Sequence, residues 1–432
     1  MYRKIFLIFF LIMFFTTKAW SQQEDSLIKS DSITLRDCIN IALQKNPQIK
    51  IAEGNYEFNS SSLTETKSIL FPQLSFQTGL SRNGGTSFIG PIVREGYYNN
   101  FFYGIQANQL IFDFGKSYTK VSASADIKYA SEQDLISAKQ NLILSTETAF
   151  FNFLQAKRIN EVSLEVLKQA QEHLKQAEAF YKVGRVAKYD VLVAQTDVAN
   201  AKVNLISSEN NIRISKLQLE NILSQKIPGN VQLKDNLEVN QDSIGLESAI
   251  ETSLQNRPEV ISSKFKVDAN KELVTSAWLA NLPLISATAG YNWRTYATDV
   301  PFQNSWNVGL TLSVPIFQGF ALDAGIEQAK ANLKSAQGSD EALIQAVKLD
   351  VQQQFSSLEE AKERIEATRS LVEQAEETLK LAEGRYNQGV GSAVEITDAR
   401  VTVYNARTSY IQSLYDYQVA YARLKRAMGI LK

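Results

Sequence analysis

Hydrophobic and polar positions along the chain follow two periods, one helical and one alternating, and the pair occurs twice. The first half opens with a helical spacing of apolar residues that continues to about Leu70. Its first positions are Leu35, Ile39, Leu43 and Pro47, and the equivalent positions in the second half are Leu246, Ile250, Leu254 and Pro258. Both helical segments stop at a proline, Pro72 and Pro283. Because the residue before a proline disfavours helical backbone, each proline predicts a helix end, and it is acceptable at the start of a strand.

An alternation of apolar and polar positions follows each proline, less cleanly at Phe102, and predicts two strands in each half of the chain. Along each strand, one set of alternating positions is small or polar and the other set is apolar. In the second half, the apolar set comprises Ile285, Ala287, Ala289, Tyr291, Trp293, Trp306, Val308, Leu310, Leu312 and Val314. Strands of about 10 residues with this pattern are typical of an outer-membrane barrel wall. Half-buried strands of a soluble sheet have the same pattern. The exposed loops between paired strands are predicted at Asn83 to Asn99 and Ala297 to Gln303.

The number of predicted strands limits what one copy of the chain can form. Small closed barrels need about eight strands, and the sequence predicts only four. An open sheet cannot lie in lipid with unpaired edges, because its backbone groups would lack hydrogen bonds. If the strands span a membrane, several copies of the chain must therefore combine.

A long helix follows each pair of strands and ends at a glycine turn. The first runs from about Lys116 to Lys182 without a proline, about 100 Å at 1.5 Å per residue. Its turn contains Tyr181 and Gly184, and the same spacing returns 205 residues later at Tyr386 and Gly389. Because glycine adopts left-handed backbone conformations without strain, it can end one helix and allow another to begin. The chain is therefore predicted to contain two helical hairpins, produced by an internal duplication.

The repeat pattern also divides the chain. Residues 1–21 have a basic start, an apolar run from Ile5 to Phe15 and small residues after it, as in a secretory signal peptide. Residues 22–34 are predicted to be a flexible lead-in, 35–230 the first structural repeat, 231–245 a linker and 246–432 the second repeat. The single cysteine, Cys38, lies in a helical pattern and is predicted to be buried.

Composition argues against two classes of function. The 45 basic and 46 acidic residues are balanced, which argues against a nucleic-acid surface. One histidine and one cysteine, with no metal-ligand spacing, nucleophile motif or phosphate loop, argue against an enzyme and predict no metal and no cofactor. His173 is predicted to be an exposed helical residue.

The order helix, two strands, long helix, turn and helix, present twice, resembles the TolC family of outer-membrane efflux proteins. The residues that carry this resemblance are Tyr181, Gly184 and Asp190, their counterparts Tyr386, Gly389 and Glu395, the boundaries Pro72 and Pro283, and the strand ends Phe112 and Phe317. The resemblance implies a mainly helical homotrimer in the outer membrane. Three sets of four strands would close a twelve-stranded barrel in the lipid, and the helical hairpins would form a large periplasmic tunnel.

The same resemblance implies a function and assigns residues to it. The protein would be the passive outer-membrane exit duct of a tripartite efflux or type I secretion system, docked to a periplasmic adaptor and powered by an inner-membrane transporter. The turns at Tyr181, Gly184, Tyr386 and Gly389 would be the docking tip. Asp190, Glu395 and Asp398 would narrow the tunnel end, although carboxylates in the first turn of a helix also favour the helix dipole.

Two other interpretations remain at this stage. A periplasmic adaptor also uses a helical hairpin, but by resemblance it needs only one, together with an inner-membrane anchor. A soluble coiled-coil scaffold would account for the long helices and would leave the alternating aromatic strands unexplained. In the family, a basic residue often follows the turn tyrosine by five positions; here those positions are Val186 and Gly391, with Arg185 adjacent.

Overall fold

The computed structural model describes residues 32–89, 92–228, 232–233, 245–295 and 301–431. The predicted signal peptide, most of the predicted lead-in and most of the predicted linker lie outside these described residues.

Both halves of the chain contain the same elements in the same order. The first half consists of β1 (Ser32–Ile33), α1 (Leu35–Lys45), α2 (Pro47–Ser68), β2 (Gln73–Ile89), β3 (Ile92–Phe112), α3 (Lys116–Lys182) and α4 (Lys188–Leu223). The second half consists of β4 (Gln232–Leu233), α5 (Leu246–Asn256), α6 (Pro258–Leu279), β5 (Leu284–Thr295), β6 (Gln303–Ser313), α7 (Ala321–Asn387) and α8 (Ala393–Ala427). The long helix predicted from Lys116 to Lys182 is confirmed, and α7 has the same length of 67 residues. Among the described helices, none is long and apolar enough to cross a membrane.

The helical segment that opens each half is two helices rather than one. Asn46 and Arg257 have extended backbones, and Pro47 and Pro258 each occupy the first position of the next helix. Proline fits there because its missing N–H would have no intrahelical acceptor in any case. The side-chain oxygen of Asn46 also accepts a hydrogen bond from Gln48 N. The prediction of a continuous helix from Leu35 to about Leu70 was therefore wrong at this junction.

The four long strands form one antiparallel sheet in the order β2-β3-β5-β6. The central pair, β3 and β5, joins the two halves of the chain. Strands β2 and β3 stay paired as far as Ile89 and Ile92, so the predicted loop from Asn83 to Asn99 is mostly part of an extended hairpin. In the second loop, the end at Gln303 belongs to β6, and residues 296–300 lie outside the described part.

The helices form a layer beneath the sheet. Helices α3 and α4 pair as one hairpin and α7 and α8 as the other, and α3 packs against α8 between them. The largest buried cluster lies at mid-height, where α1 packs on α3 and α4; it includes Phe150, Leu219 and, from α8, Tyr415. Cys38 belongs to this cluster, as predicted, and burial raises the pKa of its thiol to about 12.

Candidate tunnel tip

The two hairpin turns have the same backbone geometry at the end of the helical layer farthest from the sheet. Gly184 and Gly389 have φ angles of +74° and +76°, and their N–H groups donate to Tyr181 O and Tyr386 O at 2.9 Å in both turns. The predicted positive φ angles are thus confirmed. No heavy atom would lie within 4 Å of a Cβ at either glycine, so the backbone angle is the reason for glycine there.

The first two predicted acidic residues lie in the first turns of α4 and α8. Asp190 Oδ2 accepts a hydrogen bond from Ala187 N at 3.3 Å, which caps α4. Glu395 forms an ion pair with Arg385 Nε at 3.4 Å across the second turn. Both carboxylates therefore stabilise helix ends locally, which is the role that the helix dipole predicts. This local role is compatible with a place at a constriction, which stays a prediction.

Asp398 lies one helical turn beyond Glu395 and is exposed. Across the two hairpins, Thr397 Oγ1 donates a hydrogen bond of 2.7 Å to Asp197 Oδ2. Burial is the main cause that raises the pKa of the Asp197 carboxyl, and the negative charge of Asp398 acts in the same direction. The set of acidic residues near the tip therefore also includes Asp197, which the comparison of the two repeats did not single out.

The two turn tyrosines occupy different environments. Tyr181 is 46% exposed, whereas Tyr386 is 5% exposed and packs with Ile396 and Ala399. Its ring also contacts Phe180, with 6.4 Å between centroids. The docking role of Tyr386 stays a prediction, but the Tyr386 ring is not exposed on the surface of this protomer. The residue supports the turn from inside, and burial raises the pKa of its hydroxyl.

His173 is buried in the seam between the hairpins, with 3% of its surface exposed. The prediction of an exposed helical residue was therefore wrong, because α8 and the end of α7 cover this face of α3. Burial, followed by the charge of Arg400, lowers the pKa of His173 to about 4, so the ring is neutral at physiological pH. Among the described residues, no group of three or more His, Cys, Asp or Glu side chains could hold a metal.

A polar network joins the tips of the two hairpins. Arg185 Nη2 donates to Asn387 O at 2.8 Å, and Gln176 Nε2 donates to Asn387 Oδ1 at 2.9 Å. The Arg185 guanidinium also lies over the Phe180 ring, 4.7 Å from its centroid. Arg185 therefore supplies a cationic cross-hairpin contact, one position before Val186, where the family pattern led us to expect a basic residue.

A cavity of about 330 Å³ lies in the same seam. Its lining includes His173, Glu383, Tyr386 and Arg400. Arg400 Nη2 is paired with Glu383 Oε1 at 3.0 Å. Four buried polar atoms of these residues have no hydrogen-bond partner among the described residues: His173 Nε2, Tyr386 Oη, Arg400 Nε and Arg400 Nη1. Buried polar atoms of this kind are normally hydrogen-bonded to water, so we expect water molecules to bind these four atoms in the cavity.

Comparison with known proteins places this geometry in context. The family model described as outer membrane efflux protein matches residues 38–225 and 249–430. Outer membrane protein TolC of Escherichia coli (strain K12) is 24% identical over 405 residues, which cover 89% of this chain and 80% of that protein. The probable efflux pump outer membrane protein TtgC of Pseudomonas putida is 23% identical, with 91% and 82% covered.

A solved structure has the same fold. The outer membrane channel CmeC of Campylobacter jejuni superposes with a TM-score of 0.81 at 22% identity, covering 91% of this chain and 85% of that one. At this level of identity the superposition establishes the arrangement of strands and helical hairpins, and the tip residues must be judged by their own geometry.

Proposed function

The chain belongs to the outer membrane efflux protein family, and from this premise we propose that it is the passive exit duct of a tripartite efflux or type I secretion system. As a family member it is an outer-membrane efflux channel with a large periplasmic helical part, and it is not an enzyme. This assignment overturns the two other interpretations, a periplasmic adaptor and a soluble scaffold. The proposal adds a trimeric assembly, an adaptor docked at the tip and an inner-membrane transporter that supplies the energy.

The single observation that carries the proposal is the pair of unpaired edges of the sheet. Within the described part of the chain, strands β2 and β6 each have a neighbour on one side only. The apolar faces of these strands point outward; Phe76, Val308 and Leu310 are 66–75% exposed in the protomer. Lipid would cover these side chains but cannot satisfy the edge backbone groups, so β6 of one copy must pair with β2 of the next. Three copies would give twelve strands, enough to close a barrel with a lumen.

The helical layer has two matching edges. Its order is α4, α3, α8, α7, so α4 and α7 lie at the outside. Both carry exposed apolar side chains: Leu192, Val203, Ile206, Ile214 and Leu217 on α4, and Leu349, Leu371 and Leu381 on α7. A head-to-tail contact between α7 and the α4 of the next copy would cover both sets, and a closed ring follows if each step rotates by one third of a turn.

The tip geometry supports the rest of the proposal. Both exposed turns lie at the far end of helices of 67 residues, about 100 Å from the sheet. An outer-membrane protein has no energy source of its own at this position, and a partner that reaches it from the inner membrane would meet these turns first. We place adaptor docking at the turns of Gly184 and Gly389, and the acidic constriction at Asp190, Glu395 and Asp398.

Ring closure can be tested by cross-linking within the helical layer. Leu192 lies about 6 Å from the start of α4 and Leu381 about 9 Å from the end of α7, so both are near the tip at similar heights. A chain carrying both Leu192→Cys and Leu381→Cys should form disulfides between copies, because the two helices lie on opposite edges of one protomer. The oxidised protein should give a ladder on a non-reducing gel that ends at three chains. Each chain with only one of the two substitutions is the matched control, since the native Cys38 is buried. A ladder that continues beyond three chains, or no ladder, would contradict the trimer.

A further inference from the structure

A second cavity, of about 700 Å³, lies where the sheet meets the helices. It is bounded by the polar-face positions of the strands, such as Asn108, Ser286 and Thr288, and by the ends of the helices beneath them. These strand residues alternate with the outward apolar set, so the cavity lies on the side of the sheet opposite to the lipid. In the proposed trimer it faces the lumen at the entrance to the barrel. Its volume is within the range of small-molecule sites.

The charge of this cavity is one-sided. Lys116 and Lys120, one turn apart on α3, both line it, and no carboxylate of the described residues lies within ion-pair distance of either ammonium group. Asp113 is the one acidic residue among the described residues of the lining, and its carboxylate is already hydrogen-bonded. Its Oδ2 accepts hydrogen bonds from Ser117 N and Ser117 Oγ at 2.8 and 2.6 Å, and its Oδ1 accepts from Gly115 N at 3.2 Å. Asp113 therefore caps the start of α3 and offers little to the lysines.

The remaining lining is mixed in character. Apolar side chains from the helix ends and strand starts, including Ile69, Leu282 and Leu322, lie beside the amides of Gln73 and Gln318. Two free ammonium groups beside an apolar wall match a molecule with an anionic head and an apolar body, because charge-assisted hydrogen bonds fix the head while the apolar part leaves water.

We propose that this cavity is a lumen site that binds amphiphilic organic anions as they pass from the tunnel into the barrel, with Lys116 and Lys120 as its anion-binding residues. The inference rests on the proposed channel, in which three copies would line the lumen with six lysines. It names the class of cargo that this site would bind: carboxylate- or phosphate-bearing amphiphiles.

The experiment uses the full mature protein in planar bilayers of uncharged, zwitterionic phosphatidylcholine, so that no anionic lipid competes. Dodecanoate is the anionic probe, and dodecyltrimethylammonium of the same chain length is the cationic control. We expect dodecanoate to block the open-channel current at a concentration at which the cationic probe does not. The double variant Lys116→Gln/Lys120→Gln should require roughly tenfold more dodecanoate for the same block, since two charge-assisted hydrogen bonds are lost.

Two further variants make the result specific. Lys116→Arg/Lys120→Arg should keep the block, because the charge is retained. Lys334→Gln/Lys348→Gln removes the same net charge from exposed positions of α7 outside the cavity and should also keep it. Absence of any channel current in the wild type would overturn the proposed function. If the wild type gives a normal current, and dodecanoate blocks the wild type and the Lys116→Gln/Lys120→Gln variant at the same concentration, only the anion site is overturned.

Discussion

The imidazole of His173 meets the phenol ring of Tyr386 edge-on, with ring centroids 5.4 Å apart and ring planes inclined by 63°. The two residues belong to different hairpins and lie in the two halves of the duplicated chain. They line the same cavity, and neither His173 Nε2 nor the Tyr386 hydroxyl has a hydrogen-bond partner among the described residues. This contact makes the tip asymmetric, because only the tyrosine of the second repeat is buried.

The neutral state of His173 predicts a pH dependence. Its pKa falls from the ordinary value of 6.5 to about 4 on folding, so between these values the unfolded chain binds more protons than the folded chain. The stabilisation is fully present above about pH 6.5 and is lost as the pH falls through about 4. We expect the His173→Gln variant to lose this part of the acid sensitivity in thermal unfolding measured in detergent from pH 7 to pH 4. Parallel profiles for variant and wild type would show that the histidine does not titrate in the seam.

The inequivalent tyrosines provide a matched pair of substitutions. Tyr386→Ala should destabilise the protein by about 3–5 kcal/mol, because it removes a buried ring and leaves a cavity. Tyr181→Ala should cost less than about 1 kcal/mol, since its ring is half exposed. Tyr386→Phe should also have little effect, because within the described part of the chain no protein group is hydrogen-bonded to its hydroxyl. Denaturant unfolding followed at the helical far-UV signal measures all three, and equal losses for the two alanine variants would contradict the assigned asymmetry.

The sequence predicted the repeated elements well because local signals determine them. Gly115, the uninterrupted helical run and Gly184 are enough to define α3 to the residue. The tip side chains could not be predicted in the same way. Tyr181 and Tyr386 have the same motif around them, and their burial depends on which face of each hairpin packs against the other. The environment of His173 is determined by Tyr386, more than 200 residues away along the chain.

The same limit applies to the sheet. The alternation predicted all four strands, but the polar and glycine residues after Ser81 suggested a loop where the backbone in fact continues to pair. Ladder hydrogen bonds depend on the partner strand rather than on side-chain polarity, so an extended hairpin can continue through a polar segment. Lys116 and Lys120 were also missed, because only the folded junction brings them beside a cavity with no free acid.

Neighbouring residues of β6 test which face of the sheet meets lipid. Leu310 pairs with Ala287 and Thr311 with Ser286, so the two side chains point to opposite faces. Leu310→Arg should cost roughly 2–4 kcal/mol if it lies near the membrane midplane, whereas Thr311→Arg would face water and be tolerated. The measurement is the yield of assembled protein in isolated outer membranes. Equal loss for both variants would refute the register or the lipid face.

The second turn can be tested with two glycines five residues apart. Gly389 has a positive φ angle, so Gly389→Val should strain the turn by about 1–2 kcal/mol or more. Gly384 lies within helix α7 with open space at its Cβ position, so Gly384→Ala should stabilise the helix by about 0.5–1 kcal/mol. Both variants should form trimers, because the barrel is about 100 Å away. Only Gly389→Val should lose cross-linking to a periplasmic adaptor, and its retention would move the docking site away from this turn.

The acidic residues at the tip should control ion passage, and their local contacts decide how to test them. Replacing Asp190, Glu395 and Asp398 together by alanine should reduce cation preference in single-channel recordings. It should also destabilise the tip, since Asp190 caps α4, a contact worth about 1 kcal/mol, and Glu395 pairs with Arg385. Among the described residues, no hydrogen bond or ion pair involves the Asp398 carboxylate, so Asp398→Asn separates the two effects.

This single variant should keep the stability of the wild type while shifting the reversal potential in a salt gradient toward lower cation selectivity. Glu341→Gln, an exposed change of the same charge in the third of α7 nearest the sheet, is the matched control and should leave the reversal potential unchanged. A fixed charge has its strongest effect at a constriction, because every ion that passes through must come within a few ångströms of that charge. A charge far from the ion path is screened by salt within about 8–10 Å. If Asp398→Asn and Glu341→Gln give the same potential as the wild type, Asp398 does not line the narrow part of the tunnel.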